Sequence, residues 1–368
     1  MIISLLDFKK KISEYLKKKK FKKIYILTGK NSFYAAGINK ELSSIIKKVK
    51  FRIYFKKRNF PEVLELKKII SELNKFKPDL IIAIGGGAVL DYAKIANNIS
   101  KVDGLKERIK QSKIKFKKRS FLIAIPTTAG SGAEVTPNAV LYIKNIKYSL
   151  EDTNLKPDKF FLVPDLILSC NYKLKAASGF DAIAQAVESL MSKKSNLKSV
   201  KFAILSLKLS LNNFLDFIKN PNPHNAKIMS KAANYAGKAI AISRTTAPHA
   251  LSYPFTAHYG ISHGQAVAIT FDEVLKFNYG KKDKSTTRFN LNSRFKKLFK
   301  LTRTKSIYEL VTFFKNIKVK TGLKVSNIKP TKGTINKILS EINAQRLKNN
   351  PVELEKNDLK KILFRSLK

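Results

Sequence analysis

Ile84-Gly85-Gly86-Gly87-Ala88-Val89-Leu90-Asp91-Tyr92-Ala93-Lys94 reads as the last residue of a strand, a glycine turn and the opening of a helix. Glycine lets backbone N–H groups come close to an anion, and a helix N-terminus adds its dipole. Gly85, Gly86 and Gly87 therefore make a phosphate cradle. The spacing is not G-x-G-x-x-G, and a purely structural tight turn is the alternative for this segment taken alone. Upstream, Pro78-Asp-Leu-Ile-Ile-Ala-Ile84 supplies the buried strand.

Similar short β-rich runs flank it. Lys23-Ile-Tyr-Ile-Leu-Thr28 ends at Gly29, Phe51-Arg-Ile-Tyr-Phe55 follows, and Ser120-Phe-Leu-Ile-Ala-Ile125 runs into Pro126. Amphipathic stretches such as Val63 to Phe76 lie between them, so the spacing predicts a parallel sheet wound by helices. After the last of these strands comes Pro126-Thr-Thr-Ala-Gly-Ser-Gly-Ala-Glu-Val-Thr136, rich in hydroxyls. Two polar, glycine-bearing loops at strand carboxyl ends are where an open α/β sheet binds a nucleotide.

From about residue 173 the texture is helical throughout: Phe180 to Ser192, Leu197 to Phe217, Ala226 to Ile242 and His263 to Phe277 carry helical patterns, with weaker ones after Arg294. Pro221-Asn-Pro-His224 reads as a helix–helix loop. The expected organisation is a Rossmann-like α/β domain over 1–172 and an all-helical domain over 173–368.

The chain has 368 residues, 73 Lys plus Arg against 26 Asp plus Glu, and a net charge of +47. Its 44% apolar content excludes a disordered basic tail. Only 10 of the 73 basic residues are Arg, and the lysines are dispersed from the Lys17–Lys20 run to Lys360 and Lys361. Specific nucleic-acid readout favours clustered Arg forks; the dispersed charge instead reads as solvated faces with a positive field for anionic ligands. The single cysteine, Cys170, forms no internal disulfide and indicates a reducing compartment. Met1-Ile-Ile-Ser-Leu-Leu6 is too short for a secretory core, and no apolar run approaches a bilayer span. A cytoplasmic location without membrane attachment is expected.

Three of the four histidines, His249, His258 and His263, fall within fifteen residues. His249 and Tyr253 lie one helical turn apart, as do Asp181 and Gln185. Carboxylate and imidazole could hold a divalent metal as a Lewis acid on a carbonyl oxygen. The alternative is a set of buried, hydrogen-bonded histidines with Asp181 as a helix cap after Ser178 and Gly179.

At this point four blocks in order, Gly85–Lys94, Pro126–Glu134, Ser178–Glu188 and His249–Gly264, resemble the iron-containing (group III) alcohol dehydrogenases over essentially the whole chain. Within them, Thr245-Thr-Ala-Pro-His-Ala-Leu-Ser-Tyr-Pro254 and His258-Tyr-Gly-Ile-Ser-His-Gly264 look most like the phosphonoacetaldehyde reductases. The resemblance implies two domains with the active site in their cleft. It implies metal positions at Asp181, Gln185, His249 and His263, for iron(II) or zinc(II). Gln185 departs from the family's histidine and is a weaker ligand. Tyr253 stands where another active-site histidine is usual, so His249, His263 and Tyr253 are the catalytic candidates.

The implied cofactor set is Gly29, Lys30, Asn31, Gly85, Gly86, Gly87, Asp91, Thr127, Thr128, Ser131, Asn138 and Lys147. At the end of the first strand Gly29 replaces the acidic residue that receives a ribose 2′-hydroxyl, with Lys30 and Asn31 beside it, which favours NADPH over NADH. Arg244 and Thr245 are the expected anchors for a phosphonate. The expected reaction is NAD(P)H-dependent reduction of a small aldehyde, phosphonoacetaldehyde to 2-hydroxyethylphosphonate, by a homodimer that binds no specific nucleic acid. The alternatives are a general short-chain alcohol dehydrogenase, a dehydroquinate synthase-like lyase and a nucleic-acid-binding protein.

Overall fold

The computed structural model describes residues 1–34, 37–46, 49–144, 146–323, 328–342 and 344–368. They form two compact units, Met1–Cys170 with Asn222–Ser230, and Asn171–Pro221 with Lys231–Lys368. The reading of two consecutive segments does not include the grouping of Asn222–Ser230 with the first unit.

In the first unit the strands are β1 Lys23–Gly29, β2 Lys50–Lys56, β3 Leu80–Gly85, β4 Phe121–Pro126, β5 Asn138–Ile143, β6 Ile146–Glu151 and β7 Lys159–Phe160. Five are parallel, in the order β2-β1-β3-β4-β7. β1, β3 and β4 are buried along nearly their whole length, as a sheet covered on both faces requires. Tyr25, Leu27, Ile81, Ala83, Leu122 and Ala124 pack under the helices Val63–Phe76 and Gly87–Asn98. Ile24, Ile26, Ile82, Ile84, Ile123 and Ile125 face the other way, toward Phe8 and Ile12 of the Leu5–Lys19 helix. The strand order reverses between β1 and β3, whose carboxyl ends are Gly29 and Gly85; ligands of such sheets bind at this crevice.

β5 and β6 form an antiparallel hairpin that the sequence reading does not contain. It is held beside the sheet by the Tyr142 N–H donating to the Pro61 carbonyl at 2.7 Å. Its first strand carries the apolar run Ala139-Val-Leu-Tyr-Ile143, which the sequence reading passes over, whereas β6 is mixed and mostly half-buried.

The second unit is helical among the described residues. Its helices include Tyr172–Met191, Leu197–Lys219, Ala247–Tyr259, His263–Gly280, Leu291–Thr302, Ile307–Lys320 and Lys356–Ser366, with the later part of Pro223–Ser243. Two expectations are corrected here. The Pro221–His224 stretch is loop only to Asn222, because Pro223 starts the next helix, where its missing N–H costs nothing. Asp181 is not a cap: the cap is Asn171, whose side chain accepts from the Leu174 N–H, leaving Asp181 in mid-helix.

The Tyr172–Met191 helix is buried nearly all round. Two glycines allow that. A Cβ on Gly179 would run into the Phe214 ring, and one on Gly264 would overlap the Ala177 carbonyl. The second contact brings the start of the His263–Gly280 helix against the Asp181 side chain. No helix among the described residues is long and apolar enough to cross a membrane.

Candidate cofactor and metal sites

In the first unit the two glycine loops meet. β3 and β4 pair Gly85 with Pro126, and the Thr127 N–H donates to the Gly85 carbonyl at 3.1 Å. A Cβ on Gly86 would stand 3.4 Å from Thr128 Cγ2, and one on Gly87 3.0 Å from Ser131 Oγ. A side chain at Gly86 would sit in ordinary contact with Thr128, while one at Gly87 would crowd Ser131, so the Gly87 position is the one where the hydroxyl loop lies tightly over the turn. Thr127 Oγ1 donates to Ser32 Oγ at 3.3 Å, which ties in the segment after β1.

Beneath these loops lies a polar pair that the sequence reading treats only in part. Lys94 is fully buried, and its Nζ donates to Thr136 Oγ1 at 3.0 Å and the Asn138 carbonyl at 2.9 Å. Asp91 Oδ2 accepts from the Val140 N–H at 3.2 Å. Burial pushes the Asp91 carboxyl up to about 6 although Lys94, the Val140 N–H and Lys147 oppose it. Burial brings Lys94 down to about 8 against the pull of Asp91 and Glu134. Asp91 thus bonds β5 at Val140, two residues from Asn138 at the open end of the hairpin, whereas Lys147 lies on β6 beside the turn.

Gly29 pairs with Lys56 across β1 and β2. A Cβ on Gly29 would meet only Ser32 Oγ at 3.6 Å and Lys56 Cε at 3.8 Å, so the space is open to a side chain. Lys30 and Asn31 are exposed next to it. Lys56 is a third basic or polar group at this spot that linear reading misses, because it lies on a neighbouring strand.

In the second unit Asp181, His249 and His263 each offer a ligand atom, and these atoms all lie within 4.8 Å of one another. His249 Nε2 is 3.2 Å from Asp181 Oδ1, and its ring centroid is 5.3 Å from that of His263. Gln185 Nε2 donates to Asp181 Oδ2 at 3.1 Å. Its Oε1 is buried with no hydrogen-bond partner among the described residues, as expected of an oxygen kept for a cation. The donor set, a carboxylate, two imidazoles and an amide oxygen, suits a divalent metal.

His249 is oriented from behind. Glu188 Oε1 lies 2.5 Å from His249 Nδ1, and Glu188 Oε2 accepts from the Thr246 N–H at 2.6 Å and Thr246 Oγ1 at 3.0 Å. Burial disfavours the imidazolium, yet Glu188 and Asp181 outweigh it and push His249 up to about 9. A carboxylate behind a ligating imidazole fixes which nitrogen faces the metal. The sequence reading gives Glu188 no role, although it falls on the same helix face as Asp181 and Gln185, seven residues from the first.

Tyr253 is buried, with its ring 6.2 Å from that of His263. Burial raises its phenol, so it keeps its proton. Thr245 is buried, and Arg244 ends the Pro223–Ser243 helix with its Nη1 donating to the Ala241 carbonyl at 2.5 Å. His258, the middle one of the three clustered histidines, goes elsewhere: its Nε2 is 2.6 Å from Glu341 Oε2. It lies on the outer turn of its helix, away from the face that bears His249.

A parallel sheet with paired glycine loops and a helical unit bearing a carboxylate–imidazole cluster are features suited to holding a nucleotide and a divalent metal. A family profile described as "Iron-containing alcohol dehydrogenase" matches residues 7–164, and one described as "Fe-containing alcohol dehydrogenase family, C-terminal" matches residues 175–367. The chain belongs to the iron-containing alcohol dehydrogenase family. It is 32% identical over 221 residues to 4-hydroxybutyrate dehydrogenase of Clostridium kluyveri, covering 59% of each. It is also 32% identical over 221 residues to phosphonoacetaldehyde reductase of Streptomyces viridochromogenes, covering 56% of this chain and 55% of that protein. These alignments span somewhat more than half the length of those relatives. In fold it matches sulfoacetaldehyde reductase from Bifidobacterium kashiwanohense in complex with NAD+, with a TM-score of 0.87 and 24% identity, over 100% of this chain and 96% of that one.

Proposed function

We propose that the protein reduces a small aldehyde with NADPH or NADH, and that its substrate is phosphonoacetaldehyde, giving 2-hydroxyethylphosphonate. With the nucleotide bound, the reaction would be hydride transfer to the carbonyl carbon and protonation of the carbonyl oxygen, giving the alcohol and oxidised nucleotide. The observation that carries this reading is the Asp181, His249 and His263 cluster with the partnerless Gln185 oxygen beside it.

Asp181, His249, His263 and Gln185 Oε1 would hold a divalent ion such as iron(II) or zinc(II), which would supply Lewis-acid polarisation of the carbonyl. Glu188 sets the His249 ring so that Nε2 faces that centre. Tyr253, protonated throughout the neutral range, is the nearby donor for the oxygen. Gly85, Gly86 and Gly87 receive the pyrophosphate, with Thr127, Thr128 and Ser131 around it. Arg244 and Thr245 anchor the phosphonate. An anionic substrate is in keeping with the names of the three relatives above, each of which denotes a substrate with a charged end.

Gly29 and its neighbour Lys56 favour a 2′-phosphate. The Gly29→Asp variant has room for its carboxylate and places it against Lys56, so the NADPH-to-NADH preference should fall by about tenfold or more, as one lost charge-assisted contact implies. Steady-state kinetics with both nucleotides check this.

The overall reading is tested with purified, metal-loaded protein by nucleotide oxidation over an aldehyde panel. Phosphonoacetaldehyde should be the best substrate. Simple aliphatic aldehydes turned over at least as efficiently would remove the phosphonate assignment and leave a general alcohol dehydrogenase.

A further inference from the structure

Thr246 stands just before the first turn of the Ala247–Tyr259 helix, where a threonine hydroxyl ordinarily caps the helix, yet it makes no capping bond. Its N–H and its hydroxyl donate instead to one oxygen of Glu188, at 2.6 and 3.0 Å, and the other oxygen of Glu188 holds His249 Nδ1. The peptide group between Thr245 and Thr246 is gripped at its other end as well, because the Thr245 carbonyl accepts from Asn349 Nδ2 at 2.9 Å. A peptide group is planar, with C=O and N–H pointing opposite ways, so a bond that fixes the carbonyl also aims the N–H.

Asn349 is buried and lies 104 residues beyond Thr245. Its Nδ2 also donates to the Ser243 carbonyl at 2.9 Å and the Ser192 hydroxyl at 2.8 Å, and its Oδ1 accepts from the Lys194 N–H at 3.3 Å. Two carbonyls on one side and an N–H on the other leave one orientation for the amide, since turned over it would set an oxygen against both carbonyls. Ser192 and Lys194 follow the Tyr172–Met191 helix, which carries Asp181, Gln185 and Glu188, whereas Ser243 and Thr245 lead into the helix that carries His249. One side chain therefore ties the end of the first helix to the approach to the second. Ser192 Oγ donating to the Ser243 carbonyl at 2.6 Å and Ser243 Oγ donating to Ser189 Oγ at 2.8 Å close the same seam, and a buried polar network with its partners in place is rigid.

We propose that Asn349 is a positioning residue for the metal centre, acting through the Thr245–Thr246 peptide and Glu188 on the His249 ring. This rests on the reading of Asp181, His249 and His263 as metal ligands. Without the Asn349 amide the Thr245 carbonyl loses a buried donor, the peptide turns to regain one, and its N–H swings off Glu188, which loosens the carboxylate and the ring together. Asn350 has no such reach: its Nδ2 donates to the Val352 carbonyl at 2.7 Å and to Asn278 Oδ1 at 2.8 Å, and Asn278 is about four helical turns from His263.

The experiment measures zinc(II) affinity by chelator competition, with denaturant unfolding alongside, for wild type, Asn349→Ala, Asn349→Gln, Asn350→Ala, Glu188→Gln and the Glu188→Gln/Asn349→Ala double variant. Asn349→Ala should weaken zinc binding about tenfold or more, as loss of support behind a ligating imidazole does, and Asn349→Gln, which keeps the amide, should recover part of that. Asn350→Ala breaks as many buried bonds on the same segment and should hold its zinc affinity within about twofold. In the Glu188→Gln background the Asn349→Ala change should add less than about threefold, because the path through Glu188 is already cut. Equal losses in Asn349→Ala and Asn350→Ala, no loss in Asn349→Ala, or a full loss in the Glu188→Gln background overturns the proposal. Should Asn349→Ala not fold, Asn349→Ser is read in its place against the same limits. If wild type takes up no zinc, the metal-ligand reading fails, and proton NMR of the His249 ring N–H held by Glu188, assigned by its loss in Glu188→Gln, still decides the positioning. Faster exchange of that proton in Asn349→Ala than in wild type and Asn350→Ala upholds it, and equal exchange in all three overturns it.

Discussion

Gln185 shows what a single residue can set in this family architecture. It keeps the helix register of a histidine ligand one turn from Asp181, but it presents an amide oxygen in place of an imidazole nitrogen. Its Nε2 is spent on Asp181 Oδ2, and that bond turns Oε1 away from the carboxylate. An amide oxygen is a harder and weaker donor, so the site should hold zinc(II) less tightly than a site with a third imidazole. Gln185→His should raise zinc affinity at least about tenfold, measured by chelator competition, with the gain smaller for manganese(II). An unchanged affinity would mean that Gln185 stands outside the coordination sphere.

The buried Asp91 and Lys94 offer a second residue-scale test. The folded chain keeps a proton on Asp91 to about pH 6 where the unfolded chain loses it near the ordinary value of 3.8, so stability falls as pH rises through that window. Lys94 loses its proton near 8 in the folded chain but holds it to 10.5 when unfolded, so stability rises again between those values. Each limb amounts to about 3 kcal/mol, leaving a minimum at pH 6–8 where both groups are charged and buried together. Subtracting the denaturation profile of an Asp91→Asn/Lys94→Met double variant from that of wild type should expose this trough. The polar network is tolerated because it fastens Thr136 and Asn138 beneath the cofactor loops.

At the scale of elements, legibility followed burial. β1, β3 and β4 are written in the chain as unbroken apolar runs because both faces are covered, and their ends at Gly29, Gly85 and Pro126 could be read directly. The β5–β6 hairpin is not legible in this way, although Ala139–Ile143 is an apolar run, because β6 is mixed in polarity and the anchor at Pro61 lies some eighty residues away. The Asp181 helix begins at Asn171, eight or nine residues before the sequence pattern turns convincingly helical, because an all-round buried helix has no amphipathic stripe to mark its start. Glu188 escaped for a different reason: its part is visible only from its three-dimensional neighbour His249, which lies on another helix. Gly264 is the element-scale hinge of the metal site. A Gly264→Ala methyl would overlap the Ala177 carbonyl, so the His263–Gly280 helix must shift away from Asp181. The expected cost is roughly 2–4 kcal/mol in denaturant unfolding, with loss of metal binding, since backbone cannot yield as a side chain can.

For the whole molecule the governing quantity is the charge of +47, carried by lysines strung along both units. Their mutual repulsion opposes compaction, and it is screened over about 10 Å at 0.1 M salt. Melting temperature should therefore climb as sodium chloride is raised from about 20 mM to about 300 mM, by about 2–3 °C for each kcal/mol of repulsion removed from a unit of this size. The same field should draw anionic aldehydes toward the protein, so kcat/KM for phosphonoacetaldehyde should decline over that salt range while that for butanal stays level. The two trends oppose each other, which separates the field from a general effect of salt on folding: a fold strengthened by salt yet slower only toward the charged substrate is one whose lysines act at a distance. Duplex DNA should bind loosely and without sequence preference, and release as salt approaches physiological strength. Tight, sequence-selective binding that survives such salt would instead require a grooved arginine surface, and would transfer the meaning of the charge from steering a small anion to recognising a large one.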